Sequence, residues 1–464
     1  MSVLGARGAW VMPAMVGCGV IAVQLALVAA CGTDVPFQDQ WDAEGRGLYP
    51  AWIDGTLRAG DLLRAHNEHR IAWTQAMNLG LFVVNGQWDP LVQMIAVAGL
   101  RAASAAGLAG MLARYLGAKG RAWVGAGVGL GFLPVLAWHN ALWGFQSHVY
   151  FAMIFSLGAL ALLGERGISG WRRLAGLGLG GAALLALGAG AFVPVALLGL
   201  AAVRVIERRG VTREAWSDVW PAAVLLAAAW ALRSEVPETA ALRAGSAGQF
   251  FATLGRLLAW PHVEQPWAAI GLNAPLALAV LGRMTGRRRA QTGEDFAVLV
   301  GGWAWAGALA TAWARGGSDE FAAGVPSRYA DFFALLVIAN VWCAVALARE
   351  AAERWRPSAR WIVGAWGVFL MIGWLGLSTQ MLRRVILPRA GDRDAPVRLV
   401  REFQRTGDAA VFAGQPRLLV PHPNAESVRA VLNDPRMVGR LPPSLQPERP
   451  PGPLSRAARW VLRH

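Results

Sequence analysis

Four short segments carry the residue types from which a catalytic or binding site can be built. The first, Phe37-Gln38-Asp39-Gln40-Trp41-Asp42-Ala43-Glu44, holds three carboxylates at i, i+3 and i+5. Near a low-dielectric boundary a carboxylate can have a raised pKa and act as a general base, or it can hold a cation. The same residues also suit a solvated acidic loop. The second segment, His66-Asn67-Glu68-His69-Arg70, sets two histidines around a glutamate. This is not the HExxH order of zinc proteases, and a four-coordinate metal would need a ligand from elsewhere. A metal, a polar cluster that reads a sugar or phosphate, and a helix-capping segment are all compatible with it. The third runs Trp138-His139-Asn140-Ala141-Leu142-Trp143-Gly144-Phe145-Gln146-Ser147-His148. Aromatic faces beside amide and imidazole donors match the C–H faces and hydroxyl edges of a sugar, and they equally match an interfacial aromatic belt. The fourth is Ser327-Arg328-Tyr329. An arginine at a helix start can grip phosphate with a bidentate fork, or it can snorkel or pair with Asp319, Glu320 or Asp331.

The elements that position these segments are membrane helices. Of 464 residues, 55% are hydrophobic and 16% charged, and the mean hydropathy is +0.39. Soluble domains carry about 25% charged residues, so an ordinary soluble enzyme is excluded, and so is a disordered chain. Apolar runs predict an all-α, polytopic helix bundle of eleven spans near 9–31, 89–113, 122–138, 149–163, 174–190, 191–206, 217–232, 267–282, 296–314, 329–348 and 361–380. The run 174–206, broken near Gly188, Gly190 and Pro194, reads as one tilted helix or two short ones, and the basic loops on both sides favour two. The short loops 114–121, 164–173, 204–216, 283–295 and 349–360 hold 18 Lys/Arg, against 9 in the longer alternating segments 32–70, 138–148, 233–266 and 315–328. The positive-inside rule then sets the first group in the cytoplasm and the second outside. All four chemical segments fall on the outer side.

The long first outward loop predicts two helices lying on the membrane surface, about 48–63 and 71–86, with Trp41, Trp52, Trp73 and Trp88 at the interface. Residues 1–380 form the membrane domain. Residues 381–464 form a Pro-rich, partly extended extramembrane tail on the outer side, although Arg383 and Arg384 argue for the inner one. Gly176 to Gly181 lies in an apolar helix with no preceding strand, which predicts close helix packing and not a phosphate loop. Cys18, Cys31 and Cys343 form no CxxC pair; Val28-Ala29-Ala30-Cys31 reads as the end of the first helix in preference to a lipoprotein signal. The net charge of +15 rests on arginine, with Lys119 the one lysine. It fits cytoplasmic loops against anionic lipid, and no nucleic-acid motif accompanies it. Heavy Arg, Ala and Gly usage suits a GC-rich bacterial genome.

The order of these parts resembles the GT-C membrane glycosyltransferases, and most closely a bacterial subgroup with FQDQWD, HNEHR and WGFQ segments. In topology the resemblance covers residues 9–380; in motif it covers the first 115 or so and Ser327-Arg328-Tyr329. It implies a transferase in the bacterial inner membrane, with its active face outward. Such an enzyme takes a sugar from a polyprenyl-phosphate carrier to a glycan or lipid acceptor. Asp39 or Asp42 would be the general base. Arg328, with Arg70, would hold the lipid phosphate. Trp143 and Gln146 would position a sugar, with Glu44, His66, Glu68, His69, His148 and Tyr329 around the substrate. Asp39 and Asp42 form neither a DxD nor an adjacent pair, which leaves the choice of base and any divalent metal open; no other cofactor is implied. A lipid or glycan transporter and a non-catalytic scaffold are the rival classes. A transporter calls for buried charges near mid-membrane and two related halves, and the central spans read as almost free of ionisable residues.

Overall fold

The break at 185–191 shows how local chemistry shapes this bundle. Gly170–Leu184 and Phe192–Glu207 are separate helices joined by the tight turn Gly188–Ala191. A Cβ on Gly190 would lie 2.4 Å from the carbonyl carbon of Ala183, so only glycine fits. Pro194 falls in the first turn of the second helix, where a missing N–H costs nothing. The computed structural model describes residues 3–210, 213–234, 236–353 and 358–464. Among these the chain is helical, and its only strands are a two-residue hairpin, Ala65–His66 and His69–Arg70.

Seven helices are long and apolar enough to cross a membrane: Trp10–Cys31, Pro90–Ala113, Gly144–Leu163, Gly188–Glu207, Glu294–Arg315, Ser327–Ala352 and Arg360–Gly391. Helices also stand at the other four expected spans, but they are shorter. Val219–Ala231 and Ala268–Met284 are apolar. Ala118–Gly131 and Gly170–Leu184 have 14 and 15 residues, below the ~17 needed to span hydrocarbon. Seven of the eleven expected spans are thus long and apolar enough among the described residues, and the other four are marked by shorter helices. Arg354 and Arg356, counted above in the fifth basic loop, lie outside the described residues.

Three expectations need correction. The helix expected over 48–63 is broken: Gln40–Leu48 is a wide π-helical segment continuing into Tyr49–Ile53, and Gly55 (φ +68°) ends it. The second surface helix forms, as Ala72–Asn85. Trp41 and Trp88 are buried, 0% and 1% exposed, and do not sit at an interface; Trp52 and Trp73 are exposed. Third, the membrane region holds buried charge. Arg101, in the middle of Pro90–Ala113, pairs with Asp331 at 2.7 Å, and both side chains are wholly buried. Arg283 pairs with Glu207 and Asp295, each at 2.9 Å, at the ends of their helices.

The helix that carries the last expected span continues past 380 to Gly391, with Arg383 and Arg384 inside it. The chain beyond it is folded onto the first loop. Val400, Phe403, Val428, Val431, Met437 and Leu441 share one apolar cluster with Val35, Trp41, Tyr49, Phe82 and Trp88. Arg459 ties this cap down by bonding Asp34 at 2.7 Å and Asp89 at 2.6 Å. The C-terminal segment and the first loop thus lie on the same face. Cys31 does end the first helix, and it is fully buried. Gly176 and Gly180 are packing glycines, since a Cβ on either would come within 2.7 Å of Leu163 or Leu225.

Glu44 holds the first loop together. Trp88 Nε1, Gln93 Nε2, Tyr49 OH and Gln40 Nε2 donate to its Oε2, at 2.9, 2.9, 3.1 and 3.4 Å. Asn78 Nδ2 donates to Oε1 at 2.6 Å. Burial pushes the Glu44 carboxyl up, and the bonds from Gln93, Asn78, Tyr49 and Gln40 pull against it; the balance is a raised pKa. Truncation to alanine would strand several buried donors. Glu44→Ala is expected to destabilise the protein by about 3–5 kcal/mol in a thermal melt of the purified protein. Glu44→Gln should cost far less, because buried Asn78 Oδ1 has no partner and can accept from the new amide once Asn78 flips. The sign with pH follows from the raised value. The Glu44 contribution to stability is full below its ordinary 4.5 and is lost as pH rises through the folded value. The Glu44→Gln melts should lack that slope; an unchanged slope would refute the assignment.

Candidate active site

The first acidic residue reaches its position through a turn. Gln38 adopts a left-handed backbone (φ +50°), and its N–H donates to Pro421 O at 2.7 Å. This sets Asp39 just before the π-helical segment and leaves its side chain 40% exposed at the edge of a cavity of about 640 Å³. His66 Nε2 lies 3.3 Å from Asp39 Oδ2. Burial raises the Asp39 carboxyl, but the hydrogen bond and charge of His66, with His148 and His422, outweigh it and hold the pKa below the usual range. Asp39 is therefore ionised at neutral pH.

The HNEHR segment is the hairpin. Asn67, with φ +51°, forms its tip, a backbone state that asparagine tolerates. His66 packs edge-on against Phe145 at 5.3 Å. Both Glu68 carboxylate oxygens accept from Arg315 Nη2, at 2.6 and 2.8 Å. His69 lies over Gly188, where a Cβ would meet its Nδ1 at 2.6 Å. Burial, chiefly, lowers the His69 pKa, so the ring is neutral.

The aromatic segment lines the opposite wall. Trp143 meets Phe37 edge-on at 5.6 Å and stacks on Phe145 at 6.0 Å. Its indole N–H is buried without a hydrogen-bond partner. Gln146 and His148 are also at the wall, and His148 Nδ1 is 3.0 Å from Phe145 O. Burial, then Arg328, Arg389 and Arg417, hold the His139 imidazole well below its ordinary pKa, and Ser327 Oγ lies 2.9 Å from its Nδ1.

Ser327–Tyr329 forms a single tight turn at the cavity floor. Arg328 grips Glu320 through two bonds of 2.5 Å and lies over the Tyr329 ring at 5.2 Å. Of the three candidate partners, Glu320 is thus the one it takes. Asp331 serves instead a buried network below, accepting from Arg101, Tyr150 and Asn140 at 2.7, 2.7 and 2.9 Å. Asn140 also donates to Arg328 O at 3.1 Å, which couples that network to the cavity floor.

Nine of the twelve expected site residues line this cavity: Asp39, His66, Glu68, His69, Trp143, Gln146, His148, Arg328 and Tyr329. Three do not. Asp42 lies one helical turn on, between Arg46 and His422, each at 3.1 Å. Glu44 is the buried anchor of the loop. Arg70 turns away and donates to the backbone carbonyls of Leu63 and Leu232. Reasoning from sequence missed Arg315, at the end of one span, and Arg417, in the C-terminal segment. Neither sits in a local motif. Among the described residues no group of three or more His, Cys, Asp and Glu is arranged to hold a metal ion.

A second cavity of about 460 Å³ adjoins the first and shares Glu68, His69, Leu187, Arg315, Tyr329 and Phe332 with it. Its other walls are mainly apolar, including Phe192, Trp303, Ala304 and Phe333. The Glu68–Arg315 pair marks the border between a polar chamber and an apolar groove between helices. The chain matches no family model and no curated protein.

The buried pair beneath the floor supports this geometry. Asp331→Asn strands Arg101 as an unpaired buried charge and should cost about 3–5 kcal/mol. Adding Arg101→Met should recover most of that loss. Unfolding curves of the two variants check this, and equal destabilisation in both would show that the pair is not the source.

Proposed function

We propose that the protein is a membrane glycosyltransferase that moves a sugar from a polyprenyl-phosphate carrier to an acceptor hydroxyl on the outer side of the membrane. The observation that carries this reading is the junction of a polar, carboxylate- and arginine-lined chamber with an apolar groove at Glu68 and Arg315. A carrier-linked sugar has the matching form, a polar head on a hydrocarbon chain. The basic short loops at the other face support the outward orientation.

Asp39 is the general base. It takes the proton of the acceptor hydroxyl while that oxygen attacks the anomeric carbon. The bond from that carbon to the phosphate oxygen breaks, and polyprenyl phosphate leaves with the electron pair. His66 keeps Asp39 ionised and aimed. The lowered pKa of Asp39 makes it a weak base, which suits a proton transfer that completes late, as the attacking oxygen becomes acidic. Trp143 offers an aromatic face to the sugar. Arg328 and Arg315 lower the cost of negative charge on the leaving group.

Purified protein in lipid nanodiscs, given a panel of polyprenyl-phosphate-linked hexoses and a hydroxyl acceptor, tests this through released polyprenyl phosphate. Asp39→Asn should lower turnover by about 100-fold or more, the scale of a lost general base, with donor binding retained. Asp42→Asn should leave turnover near wild type. Full turnover in Asp39→Asn would end the general-base role. The buried Arg101–Asp331 pair favours a second reading, a lipid or glycan transporter. That reading predicts carrier lipid crossing the bilayer with its sugar–phosphate bond intact, at a rate indifferent to Asp39→Asn.

A further inference from the structure

The arginines lining the polar chamber are not equivalent. Arg315 is matched by Glu68 and Arg328 by Glu320, each through two bonds. Arg328 does so with the fork of Nη1 and Nη2 and Arg315 with Nη2 alone, so each positive charge is already matched by a carboxylate. Arg417 is exposed at the chamber and has no hydrogen-bond or carboxylate partner among the described residues. Its charge reaches the site, because it acts on both Glu320 and His139. Arg417 belongs to the chain after the last span, far in sequence from every other wall of the cavity.

The segment that carries it is pinned on both sides. Arg389 donates to Leu418 O at 3.0 Å, and Pro421 O accepts from Gln38 N at 2.7 Å, beside Asp39. His422 Nε2 contacts Asp42 Oδ2 at 3.1 Å. Leu418 itself lines the chamber. The strap is therefore held at the rim by the same loop that supplies the base, and it presents the chamber's one unmatched arginine there.

We infer that residues 416–422 form a wall of the binding site, and that Arg417 is the residue that receives the phosphate of a lipid-linked donor and selects for it. This inference rests on the proposed carrier-linked donor. Arg417 donates to phosphate oxygens with a charge that no carboxylate matches, whereas Arg328 would have to release the fork it makes with Glu320. The same charge serves the leaving phosphate after transfer.

Binding of polyprenyl phosphate and of uncharged polyprenol to the full-length protein in nanodiscs tests this, with thermal melts as a folding control. Arg417→Gln should weaken polyprenyl phosphate about tenfold and leave polyprenol unchanged, with the melt unmoved because the side chain is exposed. Arg417→Lys should recover part of the loss, as a point charge without the fork. Wild-type preference for the phosphate that survives Arg417→Gln would overturn the role of Arg417 and leave the donor reading standing. Equal loss of both lipids would mark Arg417 as structural and overturn it as well. Wild-type protein with no preference for the phosphate over the alcohol would overturn the donor reading, and this inference with it. Competition by a soluble nucleoside diphosphate as strong as that by polyprenyl phosphate would likewise overturn a lipid-linked donor.

Discussion

One buried carboxylate sets the geometry of the loop face. Glu44 accepts from donors on four parts of the chain: the π-helical segment and its continuation, the surface helix, the turn at Trp88, and the membrane helix that follows. A carboxyl group in such a place is costly unless its lone pairs are filled, and here they are. The same bonds draw Tyr49, Trp88 and Phe82 into ring contact and leave Gly45 flat enough for Val431 of the C-terminal cap to lie on it. Asp39 is five residues before Glu44, on the same segment. Its place at the cavity edge depends on this anchor.

The cavity exists because charge on its walls is mostly matched in place. Arginine and carboxylate pairs at the membrane boundary cost less together than apart, so Arg315 and Arg328 can stand next to apolar helices. Beneath them, Asp331 gathers Arg101, Tyr150 and Asn140 and passes one bond up to the backbone of Arg328. The floor is thus held by a buried polar network, while the walls beside the apolar groove are held by aromatic packing, with Trp303 against Phe192 and Phe332. A change of polarity over a few ångströms results, and this is the form an amphipathic substrate requires.

Aspartates three residues apart in one motif have different fates for a geometric reason. A wide helical segment starting just after Asp39 turns Asp42 to another side, where Arg46 and His422 take it. The motif alone offers no way to choose between them. Arg70 and Glu68 diverge similarly: two residues apart about a hairpin, one faces the cavity and the other clamps backbone carbonyls.

The sequence by itself determined the membrane class, the helical positions, the break at Gly188–Gly190, and the side on which polar chemistry gathers. These follow from hydropathy, loop charge and local backbone chemistry, which are readable along a chain. It also supplied nine of the residues that line the polar cavity, because they sit in dense local segments. Only the tertiary structure decided the rest. Helix length separates seven long apolar helices, among the described residues, from four shorter ones. Arg101 found Asp331 across 230 residues, Arg315 found Glu68 across 247, and the C-terminal segment folded back to bring Arg417 to the cavity that Asp39 lines. Such pairings carry no local signal, since the energy that selects them appears only when distant segments share one low-dielectric space.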